Sequence, residues 1–77
     1  MTKREVLEVL RNLGPTRPDD VIRRLRGYHR RSSVYSYLFR LHRQGLLGRT
    51  HIYERVHYQI SQRGIERLNF LRSQEAR

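Results

Sequence analysis

Gly14-Pro15, Gly27 and Gly45 cut the first part of this chain into three stretches of helical length. Beyond Gly48 the apolar spacing changes. Val56, Tyr58 and Ile60 alternate with His57 and Gln59, which is the period of a strand. No internal repeat, low-complexity tract or linker interrupts the chain. The spacing predicts one domain over 1–77, mainly α with a small β-hairpin (α+β), in the order helix, helix, helix, hairpin, helix.

The first helix opens with Thr2 and Glu5 at capping-box spacing, and Val6, Val9, Leu10 and Leu13 form its apolar stripe with Leu7 at the edge. Gly14 stops it and Pro15 forbids continuation. In the second helix Thr16 is a candidate cap and Pro18 sits in the first turn. Asp19 and Asp20 complement the positive helix end, and Val21, Ile22 and Leu25 form the buried arc. Ser32 and Ser33 are candidate caps for a third helix over 32–44, closed by Gly45. With Val34 at zero on a helical wheel, Leu38 and Leu41 lie within about 40° of it. Ser36, Arg40 and Arg43 gather on the opposite side, flanked by Ser32 and Phe39. Arg49–Ile52 is the expected mate of the alternating strand, turning through Tyr53, Glu54 and Arg55. That turn lacks the Gly, Asn, Asp or Pro that marks most hairpins. Ser61 is expected to cap a last helix carrying Ile65, Leu68 and Leu71 on one side, with Phe70 off that stripe.

A chain of 77 residues buries only roughly 60% of its unfolded surface, so its core is thin. Leu, Ile, Val and Phe make up 21 residues, enough to place it above the disordered range. Charge constrains function more sharply. Seventeen Lys and Arg stand against seven Asp and Glu, for a net charge of +10, and 16 of the 17 cations are Arg. The planar guanidinium suits bidentate contact with phosphate and with guanine edges. From Tyr28 to Tyr53 there is no acid, while five Arg lie inside that span and Arg26 just before it. Such a stretch repels itself unless something anionic is met. The sequence therefore points to a polyanion as partner.

The third helix is the candidate functional element, because a helix of about three turns with a polar outer face fits a DNA major groove. Arg30 and Arg31 make the turn before it basic, and Ser32 and Ser33 with the first-turn amides are placed to hold phosphate. Arg40 and Arg43, three apart, reach for guanine O6 and N7. Ser36 permits close approach, and Tyr35 at the rim is in reach of sugar, phosphate or a thymine methyl. The hairpin adds Arg49, His51, Tyr53 and Arg55, read either as a wing or as an edge blunted by charge.

Other chemistries find little in the sequence. There is no Cys, which excludes disulfides, thiolate catalysis and zinc–thiolate sites. His29, His42, His51 and His57 show no i, i+4 pair and no neighbouring carboxylate cluster, so no metal is expected. Glu5 with Glu8, and Asp19 with Asp20, sit at helix starts, where capping and dipole effects account for them. No catalytic residue and no cofactor is expected.

The segment Ser32-Ser-Val-Tyr-Ser-Tyr-Leu-Phe-Arg-Leu-His-Arg-Gln-Gly-Leu-Leu47 resembles the recognition helix of winged helix-turn-helix regulators of the PadR and MarR families. Tyr58-Gln-Ile-Ser-Gln-Arg-Gly64, followed by Leu68, is similar to their Tyr-x-Leu/Ile-Thr-x-x-Gly segment joining wing to last helix. The resemblance covers nearly the whole chain. It implies a sequence-specific regulator of repressor size, bound to double-stranded DNA as a homodimer, with helix 32–44 in the major groove and hairpin 48–60 as the wing. Against the family pattern the wing is short and the long C-terminal dimerisation helix of PadR-type repressors does not appear. A dimer is then expected to rest on the first and last helices, through Leu7, Phe70 and Leu71. With no added domain, no small-molecule effector is expected. A ribonucleoprotein component and a winged-helix protein–protein module are the competing readings. With no long apolar run and no apolar leader, no membrane partner and a cytoplasmic, nucleoid-associated location are expected.

Overall fold

Thr2 starts the structure as its sequence spacing predicts, its hydroxyl oxygen accepting from the Glu5 N–H at 3.1 Å. Helix α1 (Lys3–Leu13) runs from there to Gly14, whose left-handed backbone (φ 74°) lets its own N–H donate to the Leu10 carbonyl. Helices α2 (Pro18–Arg24) and α3 (Arg31–Arg43), strands β1 (Leu47–Ile52) and β2 (Arg55–Ile60), and helix α4 (Gln62–Glu75) follow in the expected order. This computed structural model describes residues 1–75.

The buried face of α1 is rotated from the predicted stripe. Val6, Leu7 and Leu10 are fully buried, while Val9 only packs against the core's margin. α2, α4 and β2 all pack on α1, so its enclosed arc is wider than periodicity alone indicates. Leu7 is therefore a core residue and not an edge residue. The same core gathers Val21 from α2, Val34, Leu38 and Leu41 from α3, then Leu46, Leu47, Tyr58 and Leu68.

Thr16 does not cap α2. It is buried, and its N–H and C=O exchange 2.8 Å bonds with Tyr58 across an isolated antiparallel bridge. Its hydroxyl donates to the Gly14 carbonyl at 2.7 Å. Arg17 occupies the cap position without a side-chain bond. Ser32 and Ser33 do not cap α3 either, because the helix starts one residue earlier, with Arg30 at the cap, and both serines lie inside its first turn.

β1 and β2 pair antiparallel from Leu47 opposite Ile60 to Ile52 opposite Arg55, so the hairpin begins one residue before its predicted start. Only Tyr53 and Glu54 form the turn, at φ 50° and 63°, and Arg55 already belongs to the strand. Two left-handed residues give the twist that a two-residue hairpin needs, without the usual glycine.

Ser61 caps α4 as expected, accepting from the Gly64 N–H at 3.0 Å while its hydroxyl donates to the Gly45 carbonyl at 2.7 Å. A Cβ on Gly64 would lie only 2.7 Å from Ile60 Cγ1 and overlap the Leu46 carbonyl oxygen, so the helix can approach Leu46 only with glycine there. The resemblance segment Tyr58–Gly64 thus has a physical basis: a buried strand residue bridged to Thr16, a capping serine, and a glycine at a close approach. Among the described residues no helix is long and apolar enough to cross a membrane.

Candidate nucleic-acid interface

α2 and α3 are joined by Leu25–Arg30 and locked by one carboxylate. Asp19, on the first turn of α2, accepts a 2.7 Å hydrogen bond from the Tyr35 hydroxyl and lies 3.5 Å from Arg31 Nε. The Tyr35 bond, with the charge of Arg31 behind it, holds the Asp19 carboxyl below its ordinary value. The same bond, with some burial, pushes the Tyr35 phenol up. This clasp ties α2 to α3 outside the core that Val21, Leu25, Val34 and Leu38 share. Sequence reasoning read Asp19 only as a dipole partner, because a contact 16 residues apart leaves no local signal.

The outer face of α3 carries most of the expected contact residues. Ser32, Ser33, Ser36, Arg40 and Arg43 are exposed there, and Ser32, Ser33, Ser36 and Arg40 line one shallow depression together with Tyr37. Burial raises the Tyr37 phenol above its usual value. Arg30 is exposed at the cap. Arg31 and Tyr35 are exposed as well, but each is also tied to Asp19, so both hold the scaffold as well as face outward. Phe39, which sequence reasoning placed beside the polar face, is 43% exposed within it.

The wing presents Arg49, His51, Tyr53 and Arg55 at exposed positions. Arg49 is brought to α3, with its guanidinium carbon 5.6 Å from the centre of the Phe39 ring. Tyr53 stands at the tip, 95% exposed and touching little. The two ends of the predicted surface are therefore linked through Arg49 and Phe39.

The ion pairs lie on α1, α2, α4 and the start of α3. Glu8 takes Arg4 at 3.3 Å and Arg72 at 3.1 Å, and Arg4 also meets Glu75, so acids tie α1 to α4. The bond from Arg72, followed by that from Arg4, holds the Glu8 carboxyl below its usual range. Asp20 pairs with Arg23 at 3.2 Å. Arg40, Arg43, Arg49 and Arg55 have no carboxylate partner among the described residues. Nor do any three His, Asp or Glu side chains converge among those residues. His29, His42 and His57 each face a backbone carbonyl, of Arg26, Leu47 and Arg55 respectively.

Of the three residues expected at a dimer contact, Leu7 is fully buried within its own chain and offers no surface to a second copy. Leu71 is half-buried against the core. Phe70 is 52% exposed on α4, with the Arg67 guanidinium carbon 6.0 Å from its ring centre.

No family model matches the chain, and no curated protein does. Solved structures do. A MarR family protein from Bacillus stearothermophilus superposes with a TM-score of 0.81 at 17% identity, over 96% of this chain and 53% of that one. The fold is a MarR-type winged helix. BpsR of Bordetella bronchiseptica, whose DNA binding is regulated by 6-hydroxynicotinic acid, matches with a TM-score of 0.80 at 22% identity over 90% of this chain and 50% of its own. YusO of Bacillus subtilis gives 0.77 at 20% identity, over 87% and 48%. This winged helix thus spans about half the length of the chains it matches. Because BpsR answers to a small molecule, the shared fold lends no support to the expectation that an effector is lacking.

Proposed function

We propose that this winged helix is the duplex-DNA-binding unit of a transcription regulator. α3 enters the major groove, the β1–β2 hairpin lies along the flanking backbone, and two copies bind together. The observation that carries this reading is the outer face of α3: Ser32, Ser33, Ser36, Arg40 and Arg43 exposed without an acid beside them. α2 braces that helix through Asp19 as the first helix of a helix-turn-helix braces its reader. Arg40 and Arg43 contact base edges, while Arg30, Arg31, Arg49, Arg55, Ser32 and Ser33 contact phosphate. His51 and Tyr53 extend the wing side of the footprint. Phe70, with Leu71 beside it, supports the contact between copies.

Fluorescence anisotropy against random duplex DNA, single-stranded DNA and structured RNA, each over a salt titration, tests the reading. Duplex preference is expected, with log affinity falling against log salt by about −4 per protomer if Arg30, Arg31, Arg49 and Arg55 each neutralise one phosphate. Preference for structured RNA would replace this reading with a ribonucleoprotein role, and no binding at about 100 mM salt would leave a protein–protein module. On a site selected from a random pool, Arg40→Ala is expected to cost about 1–3 kcal/mol and blur one base position. Arg31→Ala should instead weaken all sequences alike and lower the salt slope by about one. Equal losses on selected and random duplexes from both substitutions would remove Arg40 from base reading.

A further inference from the structure

An aromatic ring occupies the part of α3 where a merely solvated helix carries polar groups. On a helical wheel, Ser32, Ser36, Phe39 and Arg43 fall within an arc of about 60°, opposite the Val34, Leu38 and Leu41 stripe. Phe39 therefore lies at one edge of the outer face, beside Ser32 and Arg43, and it is 43% exposed. Its ring is nonetheless held in place. The Arg49 guanidinium stacks over it at 5.6 Å, and the His42 ring lies 6.1 Å away, tilted by 49°. His42 in turn is fixed by a 3.0 Å contact between Nδ1 and the Leu47 carbonyl oxygen. Strand β1 thus supports the ring from beside the helix and leaves its remaining surface facing outward.

On the major-groove edge of DNA the thymine 5-methyl is the one apolar group, and Phe is among the side chains that contact it. We propose that Phe39 is a specificity-determining residue whose ring packs on a thymine methyl, while Arg49, stacked on that ring, reaches the neighbouring phosphate. This inference rests on the DNA-binding reading and names a feature of the sequence that α3 selects. The Arg residues of the same face read guanine, so a preferred half-site combines guanine with at least one thymine at a fixed separation.

Removing one buried methyl weakens binding by about fourfold, which is roughly 0.8 kcal/mol. The experiment selects a site from a random duplex pool with the native chain. Each thymine of that site is then replaced, one at a time, by deoxyuridine, which lacks only the methyl. The native chain is expected to lose about fourfold at one or two thymines per half-site and nothing elsewhere. Phe39→Ser, at a half-exposed position outside the core, should fold normally by circular dichroism, and it is compared with itself on thymine and uracil sites that differ only in the methyl. It should no longer distinguish thymine from uracil at those positions. Phe39→Leu, which keeps an apolar surface, should retain part of the discrimination. If uracil is tolerated at every position by the native chain, or penalised equally in Phe39→Ser, the assignment of Phe39 is wrong while DNA binding stands. If the native chain enriches no sequence, sequence-specific recognition falls first, and Phe39 with it.

Discussion

Tyr53 and Glu54 hold the wing tip in left-handed backbone, at φ 50° and 63°, where turns of this kind ordinarily place Asn and Gly. An L-residue with a Cβ pays about 1 kcal/mol or more in that region. Neither side chain recovers the cost by packing, since Tyr53 is 95% exposed and Glu54 is exposed too. Replacing the pair by Tyr53→Asn and Glu54→Gly should relieve about 2 kcal/mol of strain. The extra freedom of glycine in the unfolded chain takes back roughly 0.5–1 kcal/mol. The net gain is about 1–1.5 kcal/mol, and at 4–8 °C per kcal/mol for a domain of this size the Tm should rise by about 4–12 °C. Far-UV circular dichroism through a thermal ramp measures it. An unchanged or lowered Tm would refute the strain argument. Anisotropy on the same double variant decides a separate point. Weaker duplex binding by a more stable protein shows that Tyr53 touches DNA; unchanged binding removes the tip from the footprint. Strain retained at an exposed loop is most readily understood where the loop meets a ligand.

Gly64→Ala would drive a methyl into the Leu46 carbonyl and against Ile60 Cγ1. It should cost about 3 kcal/mol or more, read as a lowered urea midpoint, because helix and hairpin must part to admit it. The Asp19 clasp makes an acid and an alkaline prediction. Its carboxyl is held below the ordinary value of 3.8, so its contribution is complete above that pH and is lost as pH falls through the depressed value. The Tyr35 hydroxyl is raised above 10.0, so its bond persists below that pH and fails as pH rises through the raised value. Carbon-13 titration of the Asp19 carboxyl should place its midpoint below 3.8, and a midpoint at or above that value would show that the clasp does not form in solution.

Features encoded by neighbours along the chain were legible in the sequence. The Thr2 cap, the Gly14 stop, the change of period at Val56 and the Ser61 cap each depend on residues within about one turn. What the sequence concealed depends on contacts across the fold. Thr16 has the composition of a cap, yet its backbone bridges Tyr58, 42 residues away, and that pairing takes precedence over capping α2. Leu7 looks marginal on a single-helix wheel and becomes central once three elements close on α1. Asp19 lies in the first turn of α2 and Phe39 beside the polar face as read. Their contacts with Tyr35 and Arg49 were hidden for the same reason, since these form only in three dimensions. The exposed residues of the candidate site fared better. With Val34, Leu38 and Leu41 assigned to the core, helix geometry alone turns Ser36, Arg40 and Arg43 outward.

The placement of the acids carries a consequence for the unbound chain. Glu8, Glu75, Asp19 and Asp20 all pair with Arg residues of α1, α2, the start of α3 and α4. Exposed ion pairs of that sort contribute little each, typically below about 1 kcal/mol. Among the cations outside those pairs, Arg40, Arg43, Arg49 and Arg55 face water on α3 and the wing without partners among the described residues. At a net charge of +10, repulsion among cations should outweigh attraction within the few exposed pairs. Added salt screens both, since the Debye length falls from about 30 Å at 0.01 M to about 3 Å at 1 M. The free chain should therefore become more stable as salt rises, while its affinity for duplex DNA declines. A salt series of thermal ramps without DNA measures the first trend. A Tm that falls with salt would show that the ion pairs of Glu8, Glu75, Asp19 and Asp20 outweigh the repulsion. A Tm that rises would mean that the folded chain is held together against its own net charge, a cost that a bound polyanion lowers.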